Sequence, residues 1–88
     1  MDIEMIWNNI LKNENKVFYL IKGKEFNYTV NKSRNSISLS TTNQVISKNL
    51  LEQAVNLLPF GDTVPLQHLR APSYLFALLN DKRIVLRD

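Results

Sequence analysis

The spacing of the apolar residues changes near residue 16, and this change limits the possible folds more than any other feature. The residues at the spacing of one helix face are Ile3, Ile6, Trp7, Ile10 and Leu11. Asp2 stands directly before this run and is expected to cap the helix. From Val17 onwards apolar and polar residues tend to alternate, which is typical of strands. The sequence therefore predicts a helix followed by a sheet.

Three strands are predicted between residues 17 and 40. Residues 17–21 are all apolar or aromatic, which fits a strand buried on both faces. Residues 26–30 and 36–40 alternate with polar residues, so each is expected to have one exposed face. The connections at residues 22–25 and 31–35 are short, and short connections favour an antiparallel meander.

Two further helices follow. Ser47 is the expected N-cap of a helix that ends before Pro59 and Gly61, and Pro72 suits the first position of the last helix. Residues 84–86 can add a short C-terminal strand. The expected fold is α+β, one small domain of 88 residues with an N-terminal helix, a three-stranded antiparallel meander and two helices (α-β-β-β-α-α).

The last helix is apolar on all sides. Such a helix is either surrounded by the core or covered by a partner, and the sequence leaves both open. Covered by a partner, it predicts a protein–protein docking or homo-oligomerisation module, and a homodimer is one form of it. The interface candidates are Tyr74, Leu75, Phe76, Leu78 and Leu79.

The residue types argue against catalysis. The chain has no cysteine, one histidine (His68) and two glycines, so a thiolate nucleophile, a Cys-based zinc site and a Gly-rich phosphate loop are excluded. Glu14 and Lys16 match the end of a metal-dependent nuclease motif, but the first strand adds no further carboxylate. We expect no enzyme activity, no metal, no cofactor and no small-molecule substrate.

The charge distribution suggests a nucleic-acid partner. The net charge is +3, and residues 12–48 hold seven lysines and arginines against two glutamates. Candidates for phosphate contact at the predicted sheet turns are Lys22, Lys24, Lys32 and Arg34, and a second cluster consists of Arg70, Lys82, Arg83 and Arg87. The alternative is a lysine-rich solvated face that protects a sheet edge. Tyr19 and Tyr28 either stack bases or, as we favour, pack against helices.

The element order helix, three strands, helix resembles that of the double-stranded RNA-binding domain. The resemblance implies DNA or RNA as a partner, although the second helix here begins with a single lysine, Lys48, where that family has several. The apolar runs fall far short of the roughly 20 residues that span a membrane. We therefore expect a cytoplasmic, non-catalytic binding module that binds nucleic acid through its basic turns.

Overall fold

The structure, a computed structural model, describes residues 2–86 and has the mixed α+β order expected from the sequence. The helices are α1 (Ile3–Lys12), α2 (Lys48–Val55) and α3 (Pro72–Leu79). The strands are β1 (Phe18–Tyr19), β2 (Glu25–Phe26), β3 (Tyr28–Asn31), β4 (Ser36–Leu39) and β5 (Val45–Ser47). Within residues 2–86, no helix has the length and apolar character needed to cross a membrane.

The helices begin where their capping residues stand. The Asp2 carboxylate accepts a hydrogen bond from the Glu4 N–H at 2.9 Å, and Ser47 Oγ accepts one from the Leu50 N–H at 3.0 Å. Each bond satisfies one of the N–H groups that the first turn of a helix leaves unpaired. Pro72 occupies the first turn of α3, as its missing N–H and restricted φ favour. The local signals therefore predict all three helix starts.

The predicted strands are present, but their pairing divides them into two sheets. β1 and β2 form an antiparallel hairpin, and β3, β4 and β5 form a three-stranded antiparallel sheet. Asn27 separates β2 from β3; its N–H donates to Ser40 Oγ, and its C=O accepts from the Ser40 N–H, both at 2.9 Å. A side-chain oxygen thus replaces a backbone acceptor, which interrupts the ladder at this residue.

β5 and the C-terminal residues differ from the expectation. Residues 45–47 form a third strand of the second sheet, in which Ile46 lies opposite Ile37. The strand expected at residues 84–86 is not formed, because the Ile84 and Val85 N–H groups both donate to the Asp81 C=O at 3.0 Å. Asn9 Nδ2 also donates to the Ile84 C=O at 2.9 Å. This C-terminal turn is therefore fixed to α1 and buries its two apolar residues in the core.

The core is one cluster of buried hydrophobic residues, to which all three helices and both sheets contribute. α3 packs against β1, α2 and the 3-10 turn Val64–Leu66. Leu75, Leu78 and Leu79 have no exposed surface. An all-apolar helix is therefore accommodated by surrounding it with other elements.

Candidate functional site

The outer face of the β1–β2 hairpin exposes apolar side chains. Val17, Tyr19 and Ile21 are 43%, 58% and 67% exposed, and we call these three residues the hairpin face. Phe18, between them, is 1% exposed. The expectation that residues 17–21 are buried on both faces is therefore wrong: successive side chains of a strand point to opposite sides, and only the inner side has elements packed on it.

Tyr19 differs from the other aromatic residues. Among residues 2–86 it is the aromatic residue with an exposed side chain, while the others are buried or half-buried. It lies opposite Glu25 in the hairpin register. We favoured packing against helices for both Tyr19 and Tyr28, and the structure shows this only for Tyr28. The hairpin face therefore presents one accessible aromatic ring.

The inner side of the hairpin fixes this face in place. The Phe18 ring lies 5.8 Å from that of Phe26 and 5.6 Å from that of Tyr28, between centroids. The buried Tyr28 hydroxyl donates to the Ile10 C=O of α1 at 2.6 Å. Burial raises the pKa of the Tyr28 phenol well above its ordinary value, so the phenol keeps its proton at neutral pH. This neutral, buried hydrogen bond ties β3 to α1, and the hairpin packs on Tyr28 through the Phe18 ring.

The turn of the hairpin places two lysines beside the hairpin face. Leu20 N–H donates to the Lys24 C=O at 2.9 Å, and Gly23 adopts a positive φ of 91° that closes the turn. Lys22 and Lys24 are exposed. The ion pairs of residues 2–86 are Lys48–Glu4 and Arg83–Asp81, so both turn lysines are free of carboxylate partners.

A cleft of about 310 Å³ adjoins the turn, and sequence reasoning did not find it. Its lining residues are Leu20, Ile21, Lys22, Thr63 and Ser73. It brings the end of the hairpin face next to the start of α3. The alternation of Val17, Tyr19 and Ile21 was visible in the sequence, but the contribution of Thr63 and Ser73 depends on tertiary packing.

The second pair of predicted phosphate ligands lies elsewhere. Lys32 and Arg34 follow β3, whereas Lys22 and Lys24 precede β2, so the two pairs flank opposite ends of the segment from residue 25 to residue 31. Lys22 lines the cleft with Thr63 and Ser73, whereas Arg34 lines a different cleft with residues of α1 and α2. The structure therefore places Lys22 and Arg34 in different surroundings.

Acidic groups surround Arg34. It lines a cleft of about 410 Å³ together with Lys48, Glu4 and Glu52. Lys48 Nζ lies 2.6 Å from Glu4 Oε2. The positive charge at this corner is thus partly neutralised by the protein itself, which makes it a weaker anion site than the hairpin turn.

Arg83 has a structural role at the C-terminal turn. Its guanidinium binds both carboxylate oxygens of Asp81 at 2.8 and 2.9 Å and donates to the Val17 C=O at 2.9 Å. The same group lies 4.0 Å from the centre of the Phe18 ring. The side-chain hydrogen bond from Arg83 lowers the pKa of Asp81, and the bond to Asp81 raises that of Arg83. These contacts engage the charge that we expected on phosphate.

The remaining members of the second basic cluster are Arg70, Lys82 and Arg87. Arg70 precedes α3 and Lys82 follows it, and both are exposed. Arg87 lies outside the described residues. The structure therefore shows Arg83 as a contact between the C-terminal turn and β1, and leaves Arg70 and Lys82 as exposed charges at the two ends of α3.

The interface candidates on α3 are placed in or against the core. Leu75, Leu78 and Leu79 have no exposed surface, and Tyr74 and Phe76 are half-buried. The Tyr74 ring meets Phe26 edge-on at 4.9 Å, and the Phe76 ring lies 5.8 Å from that of Phe60. The sequence left open whether this helix is surrounded by the core or covered by a partner. In the structure, its side chains pack in or against the core.

The residues considered for catalysis either lie apart from one another or make structural contacts. Within residues 2–86, no group of three or more His, Asp or Glu side chains is placed to hold a metal ion. Glu14 accepts a hydrogen bond from the Val30 N–H at 2.7 Å, so its carboxylate caps the edge of β3. His68 is exposed.

Comparisons with protein-family models, with curated proteins and with solved structures found no match to this chain.

Proposed function

We propose that the protein is a non-catalytic module that binds nucleic acid through the turn of the β1–β2 hairpin. The observation that supports this most is the position of Lys22 and Lys24, two exposed cations that make no ion pair within residues 2–86, in the turn that follows the exposed Tyr19 ring. Lysines supply the non-specific part of nucleic-acid affinity by neutralising phosphates and releasing counterions. Of the basic clusters, the hairpin turn combines free charge with a surface that bases can contact.

The neighbouring charges support the same choice. Lys16 is exposed at the start of the hairpin, so cations stand at both ends of the hairpin face. One carboxylate, that of Glu25, lies opposite Tyr19 and opposes phosphate at this point. The Arg34 corner contains two, those of Glu4 and Glu52, and Arg83 is paired with Asp81. The lysines of the hairpin turn are therefore less compensated by carboxylates than Arg34 or Arg83.

Docking or homo-oligomerisation through α3 has less support. That function requires Leu75, Leu78 and Leu79 to be accessible, and they have no exposed surface. A partner would have to displace packed core residues before it contacted this helix.

The test compares two double variants that remove the same charge at opposite ends of the segment 25–31. Lys22→Gln with Lys24→Gln removes the hairpin cations, and Lys32→Gln with Arg34→Gln is the matched control. Binding of a labelled mixed-sequence oligonucleotide is followed by fluorescence anisotropy between about 50 and about 200 mM salt. Loss of two phosphate contacts lowers the slope of log affinity against log salt by about 1.4 for a single strand or about 1.8 for a duplex.

We expect this change for the hairpin variant and a much smaller one for the control. An equal loss in both variants would show that only net charge matters and would overturn the hairpin site. No binding by the unaltered protein at low salt, to single strands or to duplexes, would overturn the function itself.

A further inference from the structure

The structure points to the kind of nucleic acid that the hairpin binds: we infer that it binds an unpaired polynucleotide strand, with a base stacked on the ring of Tyr19. This inference rests on the proposed function and makes it more specific. It joins two features of the hairpin, the exposed aromatic ring in an apolar surface and the lysines at the turn.

The first step is the environment of the Tyr19 ring. Tyr19 ends β1; the exposed aliphatic residues Val17 and Ile21 lie two positions before and after it, and Glu25 lies opposite it in β2. Its hydroxyl makes no hydrogen bond with the described residues, and its ring is not paired with another aromatic ring there. The ring is therefore free to pair with a flat group from outside.

The second step is that folding does not require this ring. The neighbouring Phe18 and Phe26 fill the inner side of the hairpin, and Tyr28 supplies the bond to α1. Tyr19 contributes to neither contact. An aromatic ring in the middle of an exposed apolar stripe has the composition of a contact surface, since aromatic residues are enriched at such surfaces.

The third step distinguishes single strands from duplexes. A duplex presents phosphates and groove edges, while its base faces are already stacked on one another. The Tyr19 ring can stack only on a base face that is exposed, and an unpaired strand offers such faces freely. Aromatic stacking of this kind accepts every base, because each has a π-face. We therefore expect preference for single strands without marked sequence preference.

The fourth step is the spacing of ring and charge. Lys22 lies in the turn that directly follows β1, so ring and charge are at the same end of the hairpin. The flexible stem of a lysine lets the ammonium group reach the phosphates that flank a stacked base. Base faces and phosphates are common to DNA and RNA, so a deoxyribose strand and a ribose strand of the same sequence are expected to bind alike.

The experiment uses the full chain and varies the side chain at position 19. Tyr19→Leu keeps the apolar bulk and removes the ring, and Tyr19→Phe keeps the ring and removes the hydroxyl. Each is titrated with a labelled single strand and with the matched duplex, and circular dichroism verifies that each variant is folded. Since stacking of a base on an aromatic side chain changes affinity by about fivefold or more, we expect Tyr19→Leu to weaken single-strand binding by at least about fivefold and Tyr19→Phe to have little effect.

A spectroscopic variant gives a second readout. Tyr19→Trp places an indole on the hairpin face, and its fluorescence is expected to be quenched by an added single strand and unchanged by an equal amount of duplex. Trp7 is 6% exposed and serves as the internal background, measured in the unaltered protein.

The outcomes separate this inference from the proposed function. Duplex binding as tight as single-strand binding, or Tyr19→Leu binding as tightly as Tyr19→Phe, would overturn the inference. If the lysine double variant still lowered the salt slope, the proposed function would stand without it. Failure of the unaltered protein to bind either form would overturn both.

Discussion

Residues 17–21 and 74–79 are the longest uninterrupted apolar runs of the chain, and the fold treats them differently. In α3 the residues Leu75, Leu78 and Leu79 have no exposed surface, because β1, α2 and the Val64–Leu66 turn pack around the helix. In the hairpin the run alternates between the buried Phe18 and the exposed Tyr19. The number of elements packed on a segment, and not its apolar content, decides how much of it is buried.

This difference has a consequence for function. An apolar helix in the core contributes to stability and is unavailable to a partner. An apolar strand face with no layer over it contributes little to stability and remains available. The surface to be tested for binding is therefore on the hairpin, although α3 contains the longer apolar run.

The first prediction, which has the largest expected effect, compares one side-chain truncation in α3 with one in the hairpin. Leu78→Ala removes a side chain with no exposed surface, and we expect it to lower the free energy of unfolding by about 3 kcal/mol. Ile21→Ala removes a side chain that is 67% exposed, and we expect a change below about 0.5 kcal/mol. Urea denaturation measures both values. Equal losses for the two variants would contradict the different burial of the two regions.

Much of this architecture could be predicted from sequence because it depends on local signals. Asp2 and Ser47 cap their helices as expected, since a cap involves only neighbouring residues. The short strand β5 and the break at Asn27 could not be predicted, because they depend on contacts with Ile37 and Ser40 elsewhere in the chain.

The candidate site was predictable only in part. Lys22 and Lys24 are at a turn as expected, but the exposure of Tyr19 and the burial of Tyr28 depend on which side of each strand faces the core. The sequence shows which residues of a strand share a side. Which of the two sides faces the core depends on tertiary packing. For the same reason, the contact of Arg83 with the Val17 C=O could not be predicted, because the two residues are far apart in the sequence.

The two tyrosines of the sheets give the second prediction. Tyr28→Phe removes the hydroxyl that donates to Ile10, and we expect it to lower the free energy of unfolding at pH 7 by about 1 kcal/mol. Tyr19→Phe is the control and is expected to have no measurable effect on stability, because the Tyr19 hydroxyl is exposed.

The same pair predicts the response to alkaline pH. The folded-state pKa of Tyr28 lies above its ordinary value of 10.0, so the unfolded chain loses this proton first as the pH rises. Stability from this group is complete below about pH 10 and falls above it, by up to about 1.4 kcal/mol per pH unit. Urea denaturation between about pH 8 and about pH 11.5 should show a steeper alkaline loss in the unaltered protein and in Tyr19→Phe than in Tyr28→Phe. Identical slopes in all three proteins would contradict a protonated, buried phenol.

The smallest expected effect concerns the contact that joins the two regions. Arg83 follows α3 by a few residues and reaches the Val17 C=O of the hairpin, while Asp81 holds its guanidinium in position. Because both side chains are partly exposed, we expect Asp81→Asn to lower the free energy of unfolding by no more than about 1 kcal/mol at pH 7. The folded-state pKa of Asp81 lies below 3.8, so its contribution is present above about pH 4 and is lost as the pH falls further.

Arg83→Lys distinguishes the geometry of this contact from its charge. Lysine keeps the positive charge but cannot bind both oxygens of Asp81 and the Val17 C=O with one planar group. We therefore expect Arg83→Lys to lose most of what Asp81→Asn loses, and the double variant to lose little more than either alone, as measured by denaturation at pH 7 and near pH 4. Additive losses would mean that the two residues act separately.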